Sequence, residues 1–243
     1  MSSNTYWRDR ELEWKKKRLK DEKQYADEIQ EIYANMMDSV EKEIESFFTR
    51  YANKENITMA EAKKRVSNID IEAYKRKAKK YVKEKNFSDE ANEQMRLYNL
   101  AMKVNRLELL KANIGLELVA GHDELKSYTG NKLEGAYLEE IKRNASILGD
   151  TVIDNAKMAK TVTDSSFRNA TFSERIWVNQ DQLKNSLSSV LSNALIQGKN
   201  PREFIPQIRK KFDVSRCNAE RLLHINRTSQ KEKIYTSGTI ERG

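Results

Sequence analysis

The chain predicts a mainly α-helical protein, an elongated helical bundle with a long N-terminal helix and a C-terminal module of three helices. Three features of its 243 residues indicate this class. Glycine and proline, which break helices and shape turns, number only 8 and 2. Charged residues make up 34% of the chain against 38% hydrophobic, which is typical of helices with broad solvated faces. Apolar residues also recur at three- and four-residue steps through several long segments.

Residues 5–52 predict one long helix. An apolar stripe at helical spacing runs along its second half: Ile29, Ile32, Met36, Val40, Ile44, Phe47 and Tyr51. The first half instead places three aromatic residues among basic ones: Trp7, Trp14 and Tyr25. The candidate phosphate contacts in this arm are four consecutive basic residues, Lys15, Lys16, Lys17 and Arg18. Either the rings stack on a partner or nucleic acid, or they anchor a helix whose charged face is solvated.

A second basic segment follows a predicted break at 53–56. Thr58 and Glu61 match a capping box, and Asp70 can cap a further helix. Basic residues cover most of the surface of that helix, and five of them are candidate phosphate contacts: Lys75, Arg76, Lys79, Lys80 and Lys83. A solvated face that binds nothing is the alternative interpretation.

The central region predicts the core helix of the bundle. Ser88, with Asp89 and Glu90 in the first turn, is typical of a helix start. The longest apolar stripe of the chain follows, formed by Leu97, Leu100, Ala101, Val104, Leu107, Leu110, Ile114 and Leu118. We expect Gly121 to end this helix. Residues 122–170 then predict short amphipathic pieces and a loop or linker at 161–171, where a short hairpin is the alternative.

The last third predicts three short helices. The first carries a regular apolar stripe and stops at Gly198: Leu183, Leu187, Val190, Leu191, Ala194 and Leu195. Asn200, Pro201 and Glu203 predict the start of the second, and Ser215 is expected to cap the third. Segment 200–224 therefore has the outline of a helix-turn-helix that could place Arg216 and Asn218 in a major groove. A helical hairpin that only packs against its neighbours gives the same outline.

Motifs of catalysis are missing from the sequence. His122 and His224 lie far apart, and neither belongs to a His-x-x-x-His or Cys-x-x-Cys pattern, so we predict no metal site. The sequence also lacks glycine-rich phosphate loops and Gly-x-Ser-x-Gly. Cys217 is expected to fill space on the buried side of its helix. We therefore predict a protein that is not an enzyme, with no catalytic residue, no metal and no cofactor.

Charge and cysteine content bear on the partners. The net charge of +8 permits a polyanionic partner, of which nucleic acid is the commonest. The single cysteine excludes an internal disulfide and fits a reducing compartment. The first thirty residues resemble no secretion signal, and no apolar run approaches the roughly 20 residues of a membrane span. We expect a soluble protein, made in the cytoplasm, with no membrane partner.

Residues 172–224 carry the most specific pattern. It consists of Arg175-Ile176-Trp177, a leucine-rich helix ending in Gln197-Gly198-Lys199, and then Phe212-x-Val214-Ser215 and Ala219-x-Arg221-Leu222. This combination resembles the minor head proteins, or head morphogenesis proteins, of tailed bacteriophages, the Mu F-like group. The upstream helices are similar to that family in character and order.

The resemblance implies a virion component that binds the portal protein during head assembly in the host cytoplasm. It would remain inside the head near the portal, touch packaged DNA without sequence preference, and have capsid or scaffold protein as further partners. A helix-turn-helix regulatory protein is the alternative function. The resemblance also implies a structural role for six signature residues: Arg175, Trp177, Gly198, Phe212, Ser215 and Arg221. Trp177 would be a packed anchor, and Gly198 a helix C-cap with positive φ.

These patterns divide the chain into four parts. They are a basic helical arm (1–86), a central helical region (87–165), the minor-head-protein signature module (166–224) and a tail (225–243). The tail departs from the family pattern, because Ser229 follows Arg227 and Thr228 where a glutamate is usual. We expect the chain to be truncated or altered after residue 224 and the tail to be divergent and poorly ordered.

Overall fold

A computed structural model describes residues 3–51, 68–85, 87–101, 106–148, 155–167, 169–197, 199 and 201–240. This described part is 94% helical and contains seven α-helices and no strand, which confirms the predicted mainly α class. The helices are α1 (Ser3–Tyr51), α2 (Asn68–Lys85), α3 (Asp89–Ala101), α4 (Arg106–Leu148), α5 (Asn155–Thr163), α6 (Phe172–Ile196) and α7 (Ile205–Ile240). A 3₁₀ turn, Pro201–Phe204, precedes α7. Helix α1 has 49 residues and spans about 70 Å, so the long N-terminal helix is confirmed.

Helices α1, α4, α6 and α7 form a bundle in which successive helices run antiparallel. Between α1 and α4, the Tyr128 hydroxyl donates to Glu28 at 2.6 Å, and Lys17 pairs with Glu139 at 2.9 Å. Between α1 and α7, Arg209 pairs with Glu41 at 2.7 Å near one end of the bundle. All four helices contribute to one apolar core, which includes most of the predicted α1 stripe and Leu183, Leu187 and Leu191 of α6.

Helix α4 is enclosed from two sides. The bundle covers one side, while α2 and α3 cover the other through a second apolar cluster that contains Tyr74, Phe87 and Met95. As a result, residues 114–123 of α4 are buried in succession. A helix that is apolar around most of its circumference is expected where neighbours surround it.

The predicted end of the core helix at Gly121 is wrong, because α4 continues to Leu148. A Cβ atom at Gly121 would overlap Cγ and Sδ of Met36, so the glycine lets α1 approach α4 closely. The short amphipathic pieces expected from residue 122 onward are accordingly one helix as far as 148. The predicted apolar stripe is shared between α3 and α4, and residues 102–105 lie outside the described residues.

The expected loop at 161–171 is partly helical. Helix α5 ends at Thr163, and an antiparallel bridge then joins Phe167 to Ala170 around Asn169, whose φ is 65°. This is a minimal form of the hairpin alternative. Thr171 and Glu174 next form a reciprocal capping box at the start of α6, with hydrogen bonds of 2.6 and 3.1 Å.

The prediction of three C-terminal helices, and with it the helix-turn-helix interpretation, is wrong. Helix α7 runs unbroken from Ile205 to Ile240, and Ser215 lies in its middle rather than at a start. The Ser215 hydroxyl is buried and forms a hydrogen bond with the Tyr33 hydroxyl of α1. It therefore contacts a neighbouring helix and does not cap a helix terminus. Cys217, expected on the buried side, is exposed. Gly198, Asn200 and the predicted caps at Thr58 and Glu61 lie outside the described residues.

The prediction of a poorly ordered tail is wrong for residues 225–230. This part of α7 is helical, and Asn226, Arg227 and Gln230 are buried. The Gln230 side chain donates to Thr163 at 3.0 Å, and the Arg227 guanidinium lies 4.8 Å from the Tyr25 ring. These side chains pack against α5 and the N-terminal arm.

Buried polar side chains from the four bundle helices meet at one level, where hydrogen bonds join α1, α6 and α7 and a ring contact adds α4. The hydroxyls of Tyr33 (α1) and Ser215 (α7) lie 3.0 Å apart, and Asn179 of α6 donates to the Ser215 carbonyl at 3.1 Å. Burial raises the pKa of Tyr33 to about 12, although these hydrogen bonds oppose the shift. His122 of α4 lies edge-on to the Tyr33 ring and donates from Nδ1 to the Leu118 carbonyl at 2.8 Å.

We expect Gly121→Ala to lower the free energy of unfolding by about 1–3 kcal/mol, because the added methyl group displaces Met36 from a packed core. A Cβ atom added at Gly135, on the same helix, would instead lie in open space. Gly135→Ala should therefore stabilise the protein by about 0.5 kcal/mol or more through helix propensity. Urea unfolding measures both, and equal effects at the two sites would contradict the close approach.

Stability should fall as the pH is lowered from 7 to 5. Burial lowers the pKa of His122 to about 4, against about 6.5 in an unfolded chain. Between pH 7 and 5, His122 takes up a proton in the unfolded chain but stays neutral in the folded chain. This difference lowers the free energy of unfolding by about 2 kcal/mol at pH 5. Urea midpoints measured across this range should show the slope in the parent and in His224→Gln, because His224 is exposed. His122→Leu should remove it; a slope that survives this substitution would assign the effect to other groups.

Candidate nucleic-acid interface

Helix α2 has an inner and an outer face of opposite character. Asp70 lies in its first turn, where a carboxylate interacts favourably with the positive end of the helix dipole. The inner face carries Tyr74, Lys77 and Tyr81, which lie at three- and four-residue steps. The outer face carries the five predicted cations and one carboxylate, also at helical spacing: Glu72, Lys75, Arg76, Lys79, Lys80 and Lys83.

A charged cluster on the inner face fixes α2 against the bundle. The Lys77 ammonium pairs with Glu43 of α1 and with Glu117 of α4, the latter at 2.8 Å. The Tyr81 hydroxyl donates to the same Glu117 carboxylate at 2.6 Å. One lysine therefore joins three helices and orients the outer face of α2 away from the bundle.

The pKa shifts in this cluster have clear causes. Burial by itself lowers the pKa of Lys77, but the carboxylates of Glu43 and Glu117 outweigh it, so the pKa lies above its usual value. Burial, reinforced by the hydrogen bond to Glu117, raises the pKa of Tyr81. Lys77 therefore stays charged and Tyr81 stays protonated at neutral pH.

The outer face of α2 has more positive than negative charge. Lys75 pairs with Glu72 at 2.9 Å and Lys80 with Glu84 at 4.0 Å, and all four side chains are exposed. Exposed pairs of this kind are weak and screened by salt. Three further cations have no carboxylate within ion-pair distance among the residues that the structure describes: Arg76, Lys79 and Lys83.

The dimensions of this face match a phosphate backbone. Eight residues separate Lys75 from Lys83, which corresponds to about 12 Å along the helix axis. A duplex of that length carries three or four phosphates on each strand, at about 3.4 Å of axis each. Several cations could therefore contact one strand at the same time.

An open groove of about 810 Å³ runs between α2 and α3. Lys79 and Lys83 line it from α2, whereas Asp89 and Glu93 line it from α3. The carboxylates on the α3 side repel an anion that enters deeply. An anionic ligand is therefore restricted to the lysine rim, which is continuous with the outer face.

The four predicted cations in the first half of α1, the part called the arm from here on, lie in a different setting. Lys17 pairs with Glu139, a hydrogen bond that raises the pKa of the lysine, and also lies 5.0 Å from the Trp14 ring. Lys16 pairs with Glu13 at 3.1 Å, and both side chains are exposed. Lys15 is exposed, while Arg18 is half-buried beside α4.

The aromatic residues of the arm differ in whether they anchor the helix or are exposed for a partner. Trp14 and Tyr25 anchor the arm inward, since Arg143 of α4 covers the Trp14 ring at 5.3 Å and Lys132 covers the Tyr25 ring at 4.9 Å. Trp7 is exposed, and its ring contacts Tyr6 and Arg10 of the same arm.

The two predicted basic patches are not brought together. The pair between Lys77 and Glu43 places α2 beside residue 43 of α1, whereas the arm cations occupy positions 15–18. About 25 residues of helix separate them, which corresponds to roughly 38 Å. The patches are therefore two separate surfaces at opposite ends of the long helix.

The signature residues occupy internal and external positions. Arg175 donates to the Phe167 carbonyl at 2.6 Å and so ties the 167–170 turn to α6. Trp177 is half-buried and packs against the second apolar cluster. Phe212 and Ser215 are buried, whereas Arg221 is exposed. Gly198 lies outside the described residues.

The sequence does not predict the cluster around Lys77, because this lysine is one of many basic residues on its helix. Its partners Glu43 and Glu117 lie in other helices, so their contact with Lys77 has no local signature. One signal was present, because Lys77 shares a helical face with Tyr74 and Tyr81. A cation on an aromatic stripe is a candidate for burial.

The described residues contain neither a metal-ligand cluster nor a membrane-spanning helix. Within the ranges that the structure covers, no group of three or more histidine, cysteine or acidic side chains is placed to hold a metal ion. In the same ranges, every helix is too short or too polar to cross a bilayer.

Comparisons with protein-family profiles, with curated proteins and with solved structures find no match.

Proposed function

We propose that the chain is a structural protein of a tailed-phage head, a minor head protein that associates with the portal during assembly and contacts packaged DNA without sequence preference. The observation that carries the DNA part is the outer face of α2, with five exposed cations in helical register on a helix that Lys77 ties to α1 and α4. The similarity of residues 172–224 to head morphogenesis proteins supports the portal part.

Contact with DNA through this face would be electrostatic. Lysine and arginine on a convex helix surface bind phosphates and release counterions, which gives affinity without reading bases. The pairing of Lys77 with α1 and α4 supports this role, because it holds α2 with the cations outward. A preorganised face loses less side-chain and backbone freedom when it binds.

The groups that could suggest catalysis favour a structural role instead. Tyr33, His122 and Ser215 are buried, and each is hydrogen-bonded within the protein. Their contacts join α1, α4 and α7. Such a network stabilises a particular arrangement of the helices and offers no surface for a substrate.

We expect full-length protein to bind two duplexes of equal length and unrelated sequence with equal affinity. The logarithm of the affinity should fall with the logarithm of the salt concentration, and α2 should contribute a slope of about −3 from its three unpaired cations. Lys79→Gln/Lys83→Gln should reduce the magnitude of the slope by about 2. Fluorescence anisotropy at several salt concentrations measures the slope.

A matched control is Lys210→Gln/Lys211→Gln, which removes two exposed lysines from α7. This variant should keep most of the slope. If both double variants change the slope equally, the binding reflects net charge and the assignment to α2 fails. A strong preference for one duplex would contradict a phosphate-only contact.

The portal part of the proposal predicts co-sedimentation. The full chain, co-expressed with the portal protein of the same phage genome, should sediment with the portal ring in a sucrose gradient. Association should persist after nuclease treatment, because the contact is between proteins. Loss of the complex upon nuclease treatment would mean that DNA bridges the two, and failure to co-sediment would contradict the portal association.

A further inference from the structure

We propose that the outward face of the N-terminal arm binds an acidic amphipathic helix of a partner protein. This arm surface is defined by Arg8, Leu12, Lys15, Lys16, Leu19 and Lys23. Two of these residues, Lys15 and Lys16, belong to the predicted phosphate contacts. The placement of its leucines and carboxylates favours a protein helix instead.

Leucines on this surface are exposed without an apolar neighbour to cover them. Leu12 is 49% exposed and Leu19 is 59% exposed, although both belong to a helix with an apolar core elsewhere. Seven residues separate them, so they lie on the same side of the helix two turns apart. A shallow groove of about 460 Å³ runs along them.

Two carboxylates beside this surface, Glu11 and Glu22, contact residues of the bundle. Glu11 pairs with Arg143 of α4, and Glu22 lies 3.6 Å from His224 and 3.9 Å from Arg227 of α7. These acids are therefore already engaged by cations of neighbouring helices.

The cations flanking the leucines point outward. Lys15 and Lys23 are exposed, and among the described residues no carboxylate lies within ion-pair distance of either. Arg8 and Lys16 contact only the exposed acids Asp9 and Glu13 of the same helix. The surface is therefore a narrow apolar row flanked by cations. Glu11 and Glu22 also line the groove, but Arg143 and Arg227 lie within ion-pair distance of them.

This pattern is complementary to one class of partner. A helix with apolar residues every seven positions and carboxylates beside them would bury both leucines and pair with the flanking cations. A nucleic-acid backbone would satisfy the cations but leave the leucines exposed. A lipid surface normally binds a wider apolar face than a single row.

The proposal rests on the proposed function, because it names the surface by which a head protein would dock. Its test needs neither portal nor DNA. The probe is a labelled three-heptad peptide with leucine at positions a and d and glutamate at e and g. Its glutamates keep it from pairing with itself. The same peptide with lysine at e and g is the negative probe.

The full chain should bind the acidic peptide and not the basic one, as measured by fluorescence anisotropy. Leu12→Ser/Leu19→Ser should weaken binding about tenfold or more, because the apolar contact is lost. Lys15→Glu/Lys23→Glu should weaken binding of the acidic peptide and allow the basic peptide to bind. Val214→Ser, which removes an exposed apolar side chain from α7, should change nothing. Circular dichroism confirms that the variants remain folded.

The proposal fails if the acidic peptide does not bind, or if the parent and the leucine variant bind it equally. Leucine-dependent binding to phosphatidylglycerol vesicles in place of the peptide would assign the surface to lipid. The arm variants should retain the DNA affinity and salt slope of the parent. If DNA binding is absent while the peptide binds, the DNA part of the proposed function fails and the arm surface stands.

Discussion

The enclosure of α4 is the constraint on which the other features of the molecule depend. Bundle helices cover one side of it, and α2 and α3 cover the other. A helix buried on both sides tolerates little excess volume or charge. Gly121 adds no side-chain volume where α1 approaches, and His122 adds no charge because burial keeps it neutral. The Glu117 side chain is also buried, and Lys77 of α2 pairs with it.

The compensation of Glu117 connects the core to the surface. Lys77 faces inward to reach Glu43 and Glu117, as do Tyr74 and Tyr81 three and four residues away, so the positions on the opposite side of α2 are turned outward. Those positions carry the cations of the candidate nucleic-acid interface. The orientation of this interface is therefore a consequence of burying a carboxylate in α4.

A single long helix separates two surfaces of different chemistry. The α2 end presents cations and suits a uniform polyanion, whereas the arm end combines cations with leucines and suits a folded partner. A separation of roughly 38 Å would let the two proposed partners bind without competing for space. This arrangement fits a protein that sits between a protein ring and packaged nucleic acid, the role proposed here.

The sequence by itself determined the helical class, the apolar stripes of α1 and α6, and the exposure of the five cations of α2. Each of these follows from a periodicity that is read within one helix. Tertiary structure decided what single residues do. Gly121 and Ser215 have the local character of helix ends, yet both lie inside helices, because Met36 and Tyr33 of α1 meet them there. Residues 225–230 likewise have no strong local pattern and are ordered by contacts with α1 and α5. Capping and turn signals are weak compared with the free energy of burial, so the neighbouring helices determine the outcome.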